Sequence, residues 1–379
     1  MSHKIAIVGG GIAGISCGLA LMQRGFQVSI YEKAPEFKEI GAVLGVLPNG
    51  MDVIESFGLS NQLLEKGGVF HDFRVYLHDG SLLRKSNINY ALPALVVRRS
   101  DLLKALLSKI HPSVLYPNHR LIDYKQTANN GVELFFENGK KIEADILIGA
   151  DGIHSVVRKT MIQDSGPVYR GYNLWRGVGK LDDVPDYAGE VWGPGKRFGL
   201  YPLPDNYIGW WAALEEEKDC SDLPEGSKEK LMHHFSKWQH PIPALINATE
   251  HIIKNDISDR KPFKKWFEGQ VVMIGDAAHC TTPNLGQGAN MAMESALILS
   301  RCLKQYGVNS TAFKKYQEIQ FDRTRQINRQ SLLLGKMSQL RNPLACALRN
   351  AILRAMPLSL AQKTYDNHFG YRASTVLID

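Results

Sequence analysis

The sequence predicts an α/β fold into which a β-sheet domain is inserted and to which helices are added at the C-terminal end. Three observations predict this fold. Strand-like and helical segments alternate near the N-terminus, a stretch rich in Trp, Tyr, Gly and Pro with strand periodicity interrupts them, and helical periodicity dominates after residue 290. A chain of 379 residues is long enough for two domains with buried cores.

The first element is a β-α-β unit. A short apolar strand over residues 4–8 leads through a glycine cluster into an Ala- and Leu-rich helix over residues 12–24, and a second apolar strand covers residues 27–31. Further helices are predicted over residues 49–57, 60–66 and 100–110. Hairpins are predicted to turn at Asp79-Gly80 and at Asn138-Gly139.

Two more apolar strands, over residues 146–150 and 271–274, return the chain to the first domain after long excursions. The first domain is therefore expected to be discontinuous. The predicted parts are residues 1–70, 95–168 and 268–335 for this α/β domain, residues 71–94 and 169–267 for the β-sheet domain, and residues 336–379 for a C-terminal helical segment.

Cysteine usage and apolar runs limit the setting of the protein. The five cysteines are scattered and include no C-x-x-C pair, which argues against disulfides, a metal site or a dithiol centre and favours a reducing cytoplasm. The segment Met1-Ser2-His3-Lys4 leads directly into a strand without a signal-peptide pattern, and no long uncharged apolar run occurs. A cytoplasmic protein without membrane-spanning segments is expected.

Positive charge is concentrated in the C-terminal helices. From Arg301 onward there are thirteen Lys or Arg against four Asp or Glu. These cations alternate with Leu, Ala and Gln at helical spacing, which favours a solvated helical face and gives no reason to expect nucleic acid as a partner. Peripheral membrane contact through Pro343 to Leu360 is the alternative that stays open.

The glycine cluster carries the first chemical motif. Gly9, Gly11 and Gly14 fit G-x-G-x-x-G between a strand and a helix, and Glu32 ends the following strand. Gly9 allows a tight turn, Gly11 lets a pyrophosphate approach the backbone, and Gly14 lets helix and strand pack closely. Glu32 can accept hydrogen bonds from ribose hydroxyls. The motif predicts a Rossmann-like dinucleotide site and leaves open whether the nucleotide is FAD or NAD.

Two further strands end in an acid. Asp151-Gly152 follows one buried strand, and Gly275-Asp276 follows the other. Ligands of α/β sheets collect beyond the carboxyl ends of the strands, so Asp276 is placed to meet a second ribose or ribityl chain. The run from Pro283 to Asn290 then opens a helix whose N-terminus can stabilise an anionic ring edge.

These three segments, in this order, resemble the class A flavin monooxygenases, which include p-hydroxybenzoate, salicylate and urate hydroxylases, zeaxanthin epoxidase and alkylquinolone 3-monooxygenases. The resemblance covers the whole chain. It implies a p-hydroxybenzoate hydroxylase-like fold with FAD as cofactor, NADH or NADPH and O2 as co-substrates, and hydroxylation of a small apolar or aromatic molecule through a flavin C4a-hydroperoxide. A reductase or oxidase on the same scaffold, or a flavin-containing binding protein recruited by its basic helices, remains the alternative.

The resemblance also assigns residues. Pro283 would lie at the reacting edge of the flavin and shield it from water. Arg99 would offset pyrophosphate charge, with Arg98 as the competing candidate. The implied cofactor-binding residues are Gly9, Gly11, Ile12, Ala13, Gly14, Glu32, Lys33, Gly45, Arg99, Leu121, Asp151, Gly152, Gly275, Asp276, Gly286, Gln287, Gly288, Ala289 and Asn290.

The aromatic stretch predicts the substrate slot. Its predicted substrate contacts are Trp175, Arg176, Arg197, Tyr201 and Trp210. The segment from Gly41 to Asn49 resembles the family loop beside the flavin ring, and its Leu47 is a further predicted substrate contact. Arg197 is also predicted to be catalytic, because a buried arginine needs an anionic or π-rich partner. For each aromatic side chain a role in the core of the sheet is the alternative. Phenols, quinolones, urate-like molecules and antibiotics remain candidate substrates, and a monomer and a homodimer are both compatible with the sequence.

Overall fold

The computed structural model describes residues 3–38 and 41–378, so residues 1–2, 39–40 and 379 of the predicted parts lie outside the described residues. Over this range the strands, numbered β1 to β19 in chain order, are Lys4–Val8, Gln27–Tyr31, Val43–Val46, Gly68–Phe70, Asp72–Leu77, Leu82–Asn87, Ala94–Arg98, Leu115–Tyr116, Leu121–Gln126, Val132–Phe136, Lys141–Ala144, Ile146–Gly149, Val168–Lys180, Ala188–Gly193, Lys196–Pro202, Tyr207–Glu215, Ile253–Asp259, Phe267–Glu268 and Val271–Met273. The helices, α1 to α12, are Ile12–Met22, Pro48–Ser56, Ser60–Leu64, Arg99–Leu107, Val156–Ile162, Ser227–Phe235, Ile242–Ala248, Asp276–His279, Gly288–Tyr306, Ser310–Ser338, Pro343–Ala355 and Leu358–Phe369.

One sheet forms the centre of the α/β part. Within the described residues its strand order is β18-β19-β12-β1-β2-β8, with β1 parallel to β2 and β12 and β12 parallel to β19. Ile5 and Ile7 of β1 are buried, and α1 packs beside β2 and against α9. Because the parallel strands end at one edge, Gly9, Glu32 and Asp151 are brought to the same side of the sheet.

A second sheet has the order β17-β13-β16-β15-β14-β5-β6 over the described residues. Its strands come from residues 72–87 and 168–259, and β14 pairs in parallel with β5 to join these distant pieces. One face packs against α6 and α7, and the other faces the α/β part. The proposed division of the chain at residues 70/71, 94/95, 168/169 and 267/268 remains a prediction.

The segment from Gly41 to Asn49 is more regular than the sequence indicated. We expected a loop beside the cofactor, but residues 43–46 form β3, which pairs antiparallel with β7, and α2 begins at Pro48. A Cβ added at Gly45 would lie 3.5 Å from the Leu47 side chain, an ordinary van der Waals contact, so the strand pairing does not require glycine there. The segment is thus held in place by strand pairing.

The C-terminal helices differ from the prediction at two points. The predicted boundary between residues 335 and 336 falls inside α10, which continues unbroken to Ser338. After α12 the chain leaves the helical conformation and returns to α2, where the backbone N–H and the hydroxyl of Ser374 donate to Asp52 at 2.9 and 2.6 Å. None of the helices in the described ranges is long and apolar enough to cross a membrane.

Candidate active site

Two glycines of the first motif have no room for a side chain. A Cβ on Gly14 would lie 1.8 Å from the carbonyl oxygen of Gly9, and a Cβ on Gly9 would lie 2.2 Å from that of Ala150. Gly9 also has a φ of +109°. Glycine is therefore required at both positions, since any side chain would push α1 away from β1 and β12.

The sequence at the N-terminus of α1 supplies no capping side chain within the described residues. Gly11 is the N-cap residue, the first turn contains no acid, and within the described part of the chain no side chain caps it. Glu32 lies beside this turn, where its carboxylate accepts hydrogen bonds from the N–H groups of Gly10 at 2.6 Å and Ala34 at 2.9 Å. Uncapped N–H groups and the helix dipole favour a phosphate here, and the remaining lone pairs of Glu32 can accept ribose hydroxyls.

The second and third motifs meet the first one. A Cβ on Gly275, which has a φ of +58°, would lie 2.7 Å from the Cβ of Ala13, so the end of β19 touches the start of α1. Asp276 follows as an exposed side chain. This contact brings predicted cofactor-binding residues that are more than 250 positions apart in the chain next to each other.

Asp151 has a structural task that the sequence reasoning did not foresee. Its carboxylate accepts from the Ser155 hydroxyl at 2.5 Å and from the Val156 N–H at 2.7 Å, and it thereby caps the start of α5. Burial raises the pKa of Asp151 despite these bonds. The side chain shapes the turn that contains Gly152, and direct contact of either residue with a cofactor remains a prediction.

The segment of Gly45 is joined to the start of α9 by one side chain. Asn290 donates to the carbonyl oxygens of Gly45 and Gly286 at 3.0 and 2.8 Å, and its own amide oxygen accepts from the Leu47 N–H at 3.0 Å. Gln287 accepts from Asn49 at 2.9 Å. The side chains of Asn290 and Gln287 therefore join this segment and α2 to the start of α9. Contact of the backbone around Gly288 with a cofactor remains a prediction.

Arg98 and Arg99 are distinguished by their surroundings. The Arg98 guanidinium lies 4.8 Å from the centre of the Tyr207 ring. The Arg99 side chain lies against Gly41, where an added Cβ would approach its Cδ to 2.6 Å. Burial lowers the pKa of Arg176, and the charge of Arg99 lowers it further. The choice of Arg99 over Arg98 as the cation for a phosphate group remains a prediction.

Arg197 is buried on the inner face of the second sheet and finds its partners within the chain. It forms an ion pair with Glu190 at 3.3 Å, donates a hydrogen bond to the Asn284 side chain, and lies 5.0 Å from the centre of the Trp211 ring. Trp192 also donates to Glu190, at 2.7 Å. Burial raises the pKa of Glu190, and the charge of Arg197 opposes that shift.

Asn284 is a site residue that the sequence reasoning missed, although it directly follows Pro283. Its amide donates to the Thr282 hydroxyl and to the Ser331 carbonyl of α10, both at 3.0 Å. Its oxygen accepts from Arg197 and, at 3.3 Å, from the Tyr172 hydroxyl. The 3-10 helix Pro283–Leu285, here called the 3-10 helix of Pro283, is thus fixed between the second sheet and α10. Glu190 was also missed, and its signal was an acid within an otherwise apolar strand.

An apolar cluster lies between β3 and the inner face of the second sheet. Leu47, Phe70 and Leu203 are buried in it, and Tyr201 packs against them. Tyr201 also accepts a hydrogen bond from Trp211 at 3.4 Å. Two of the predicted substrate contacts, Leu47 and Tyr201, therefore share one apolar environment.

Two predicted substrate contacts lie on the face of the second sheet that is turned away from the α/β part. Trp175 and Trp210 are fully buried on the outer face of the sheet, beneath α6 and α7. Trp210 donates to Thr249 at 2.8 Å, and Trp175 donates to Asp222 at 3.2 Å. Strand alternation explains the error, because the neighbouring residues of each strand occupy the inner face. Both tryptophans support the sheet and are withdrawn as substrate contacts.

The last two predicted cofactor residues lie at the end of β2 and the start of β9. Lys33 is exposed directly after Glu32, and Leu121 is buried in the main core. Neither position tests contact with a nucleotide, so their role stays a prediction.

Comparison with known proteins identifies the family. The FAD binding domain family matches residues 2–327. The aurachin C monooxygenase/isomerase of Stigmatella aurantiaca is 31% identical over 93% of this chain and 94% of its own length. The chain belongs to the class A FAD-dependent monooxygenases. The 6-hydroxynicotinate 3-monooxygenase of Pseudomonas fluorescens, also 31% identical, covers 86% of this chain and 90% of its own.

Solved structures show the same fold. HpxO from Klebsiella pneumoniae, in complex with FAD and uric acid, superposes with a TM-score of 0.89 at 24% identity and covers 97% of this chain and 96% of its own. A salicylate hydroxylase in complex with its substrate gives a TM-score of 0.81 at 20% identity, over 100% of this chain and 98% of its own. The predicted α/β fold class and its relation to this family are confirmed.

The enzyme is an FAD-dependent monooxygenase that uses NAD(P)H and O2 to hydroxylate an aromatic substrate. The glycines without side-chain space, the uncapped start of α1 and the carboxylate of Glu32 fit the nucleotide half of FAD. Bound FAD supplies the redox chemistry that activates O2. The uncapped N–H groups of α1 would hold the phosphates, and the apolar cluster of Leu47 would keep water from the substrate. Asn290 joins the segment of Gly45 to α9.

Two buried histidines should make the enzyme sensitive to mild acid. Burial lowers the pKa of His279 and of His368 from an ordinary 6.5 to about 4. Because the pKa values are lower in the folded than in the unfolded protein, the two neutral histidines contribute their full stabilisation above pH 6.5. This contribution is lost as the pH falls toward 4. At pH 5 each histidine should cost about 2 kcal/mol of unfolding free energy. Urea unfolding at pH 7.5 and 5.0 measures this loss.

A pair of variants separates this effect from other acid effects. His368→Gln should remove roughly half of the difference in unfolding free energy between pH 7.5 and pH 5.0. Substitution of the exposed His251 by Gln should leave this difference unchanged. Equal pH dependence in wild type and His368→Gln would contradict the assignment.

Proposed function

We propose that the substrate is a neutral, largely apolar fused-ring heteroaromatic molecule of the quinolone class, hydroxylated on a ring carbon. The observation that carries this proposal is the pairing of Arg197 with Glu190. The Arg197 guanidinium, which was predicted to be catalytic, has its charge balanced by Glu190 inside the protein. A substrate carboxylate would therefore gain little from the charge of Arg197, which disfavours benzoate-like substrates bound against it.

The surroundings support the same substrate class. The cluster of Leu47, Phe70, Leu203 and Tyr201 offers apolar and aromatic surface to a flat ring and its apolar substituent. Among the relatives, the 2-heptyl-3-hydroxy-4(1H)-quinolone synthase of Pseudomonas aeruginosa is 28% identical over 96% of this chain and 97% of its own. In this proposal Arg197 acts as a positioning residue that orients Asn284 and, through it, the 3-10 helix of Pro283.

The experiment is NAD(P)H consumption by the FAD-loaded enzyme in air with a panel of substrates. 2-Alkyl-4-quinolones should accelerate consumption, and 18O from O2 should appear in the product with little peroxide release. Salicylate, 4-hydroxybenzoate, urate and tetracycline serve as matched alternatives. Acceleration by the carboxylates but not by the quinolones would contradict the proposal, and acceleration without 18O incorporation would indicate an oxidase or reductase.

We further propose a cytoplasmic location. In the described part of the chain Cys17, Cys280, Cys302 and Cys346 are buried free thiols, and Cys220 is an exposed one. Free thiols of this kind are typical of a reducing compartment. A monomer and a homodimer both remain compatible with the sequence.

A further inference from the structure

We infer that α11 binds the surface of an anionic lipid bilayer through an apolar face formed by Leu344, Leu348 and Ile352, here called the α11 face. The three side chains are spaced by four residues and therefore lie along one side of the helix. They are 81%, 64% and 53% exposed. Such a continuous row of exposed large apolar residues is unusual for a surface helix without a partner.

The rest of the exposed arc is also apolar. Ala355 lies between Leu344 and Leu348 on the helical wheel, Ala347 and Ala351 lie beside Leu344, and all three alanines are exposed. Arg354 is exposed at the edge of this arc. An apolar stripe flanked by a cation is the pattern of a helix that lies in a membrane interface.

The orientation of α11 is fixed by its opposite side. Arg349 is buried there, donates to the Met337 carbonyl at 3.1 Å and lies 5.2 Å from the centre of the Trp192 ring. Arg84 donates to the carbonyl oxygens of Leu353 and Met356 at 2.8 and 2.9 Å. The helix therefore buries Arg349 and exposes Leu344 and Leu348, the reverse of the usual arrangement, and cannot turn its apolar face inward without breaking these contacts.

Charge decides between a membrane and a second copy of the chain. Residues 323–365 contain eight Lys or Arg and no Asp or Glu. Six members of this set are exposed, Arg325, Arg329, Lys336, Arg341, Arg354 and Lys363. Arg325 pairs with Asp322 and Arg341 with Glu215, which leaves Arg329, Lys336, Arg354 and Lys363 without a salt bridge within the described residues. Two copies meeting through the α11 face would bring like charges together, whereas anionic headgroups complement them. This inference does not depend on the identity of the substrate.

The test is sedimentation of the full FAD-loaded enzyme with vesicles at low salt. Wild type should bind vesicles of equal parts phosphatidylcholine and phosphatidylglycerol, bind pure phosphatidylcholine weakly, and be released as salt rises. The double variant Leu344→Glu/Leu348→Glu should bind these vesicles more weakly than wild type by a factor of roughly ten or more. Arg354→Gln/Lys363→Gln should lower binding and its salt dependence. Flavin content and NAD(P)H oxidation report that each variant is folded.

The matched control is Ile122→Glu, which places the same charge at a 54% exposed apolar position on β9. It should bind vesicles like wild type. The inference is overturned if wild type does not bind anionic vesicles, or if the double leucine variant binds as well as the control. A dimer that dissociates in the leucine variant, without vesicle binding by wild type, overturns it in favour of self-association.

Discussion

Gly14→Ala should yield an enzyme that does not retain FAD. The added Cβ would lie 1.8 Å from the Gly9 carbonyl oxygen, which is backbone and cannot move aside as a flexible side chain would. Helix α1 must then shift away from β1, and its uncapped N–H groups leave the position of the pyrophosphate. We expect purified protein without a flavin spectrum and with NAD(P)H oxidation reduced by roughly a hundredfold or more.

The control for this result is Gly25→Ala, in the turn after α1. A Cβ at Gly25 meets no atom within 4 Å, but the residue has a φ of +84°. Its substitution should cost about 1 kcal/mol of stability through backbone strain and leave flavin content unchanged. If Gly14→Ala retains stoichiometric FAD, the assignment of this loop to the nucleotide is incorrect.

Glu190→Leu should lower both stability and activity. The change leaves the Arg197 guanidinium buried without its ion-pair partner and removes the acceptor of the Trp192 indole N–H. Loss of one member of a buried pair costs about 3 to 5 kcal/mol of unfolding free energy. Arg197 must then find another acceptor, which disturbs its bond to Asn284. Urea unfolding and substrate-stimulated NAD(P)H consumption measure the two effects.

The double variant Glu190→Leu/Arg197→Leu separates them. Because two apolar side chains of similar volume can replace a buried ion pair at little cost, most of the unfolding free energy should return. Activity should not return, since Asn284 still lacks the Arg197 donor that orients it. Recovery of activity together with stability would show that Arg197 serves only to balance Glu190.

The cofactor side of the site could be predicted from the sequence because its chemistry is local. Gly9, Gly14 and Glu32 lie within one β-α-β unit, where strand, turn and helix fix their relative positions without help from the rest of the chain. Gly275 could be included because parallel strands end at the same edge of a sheet. The fold class followed from the same order of segments.

The substrate side depended on contacts between distant segments. Composition identified an aromatic sheet, but only the strand pairing showed that Trp175 and Trp210 face α6 and α7 while Arg197 and Tyr201 face the cofactor side. A shift of one residue exchanges the two faces of a strand, so periodicity alone could not decide between them.

The sequence by itself determined the family of this enzyme, its cofactor and the turn that binds the nucleotide, because close backbone packing demands glycine at fixed positions. Tertiary structure alone decided that Arg197 is paired with Glu190 and that α11 exposes its leucines. Both outcomes depend on which surfaces pack against each other in the folded chain. Local sequence patterns do not contain this information, so they cannot show which charge is buried or which apolar side chain is exposed.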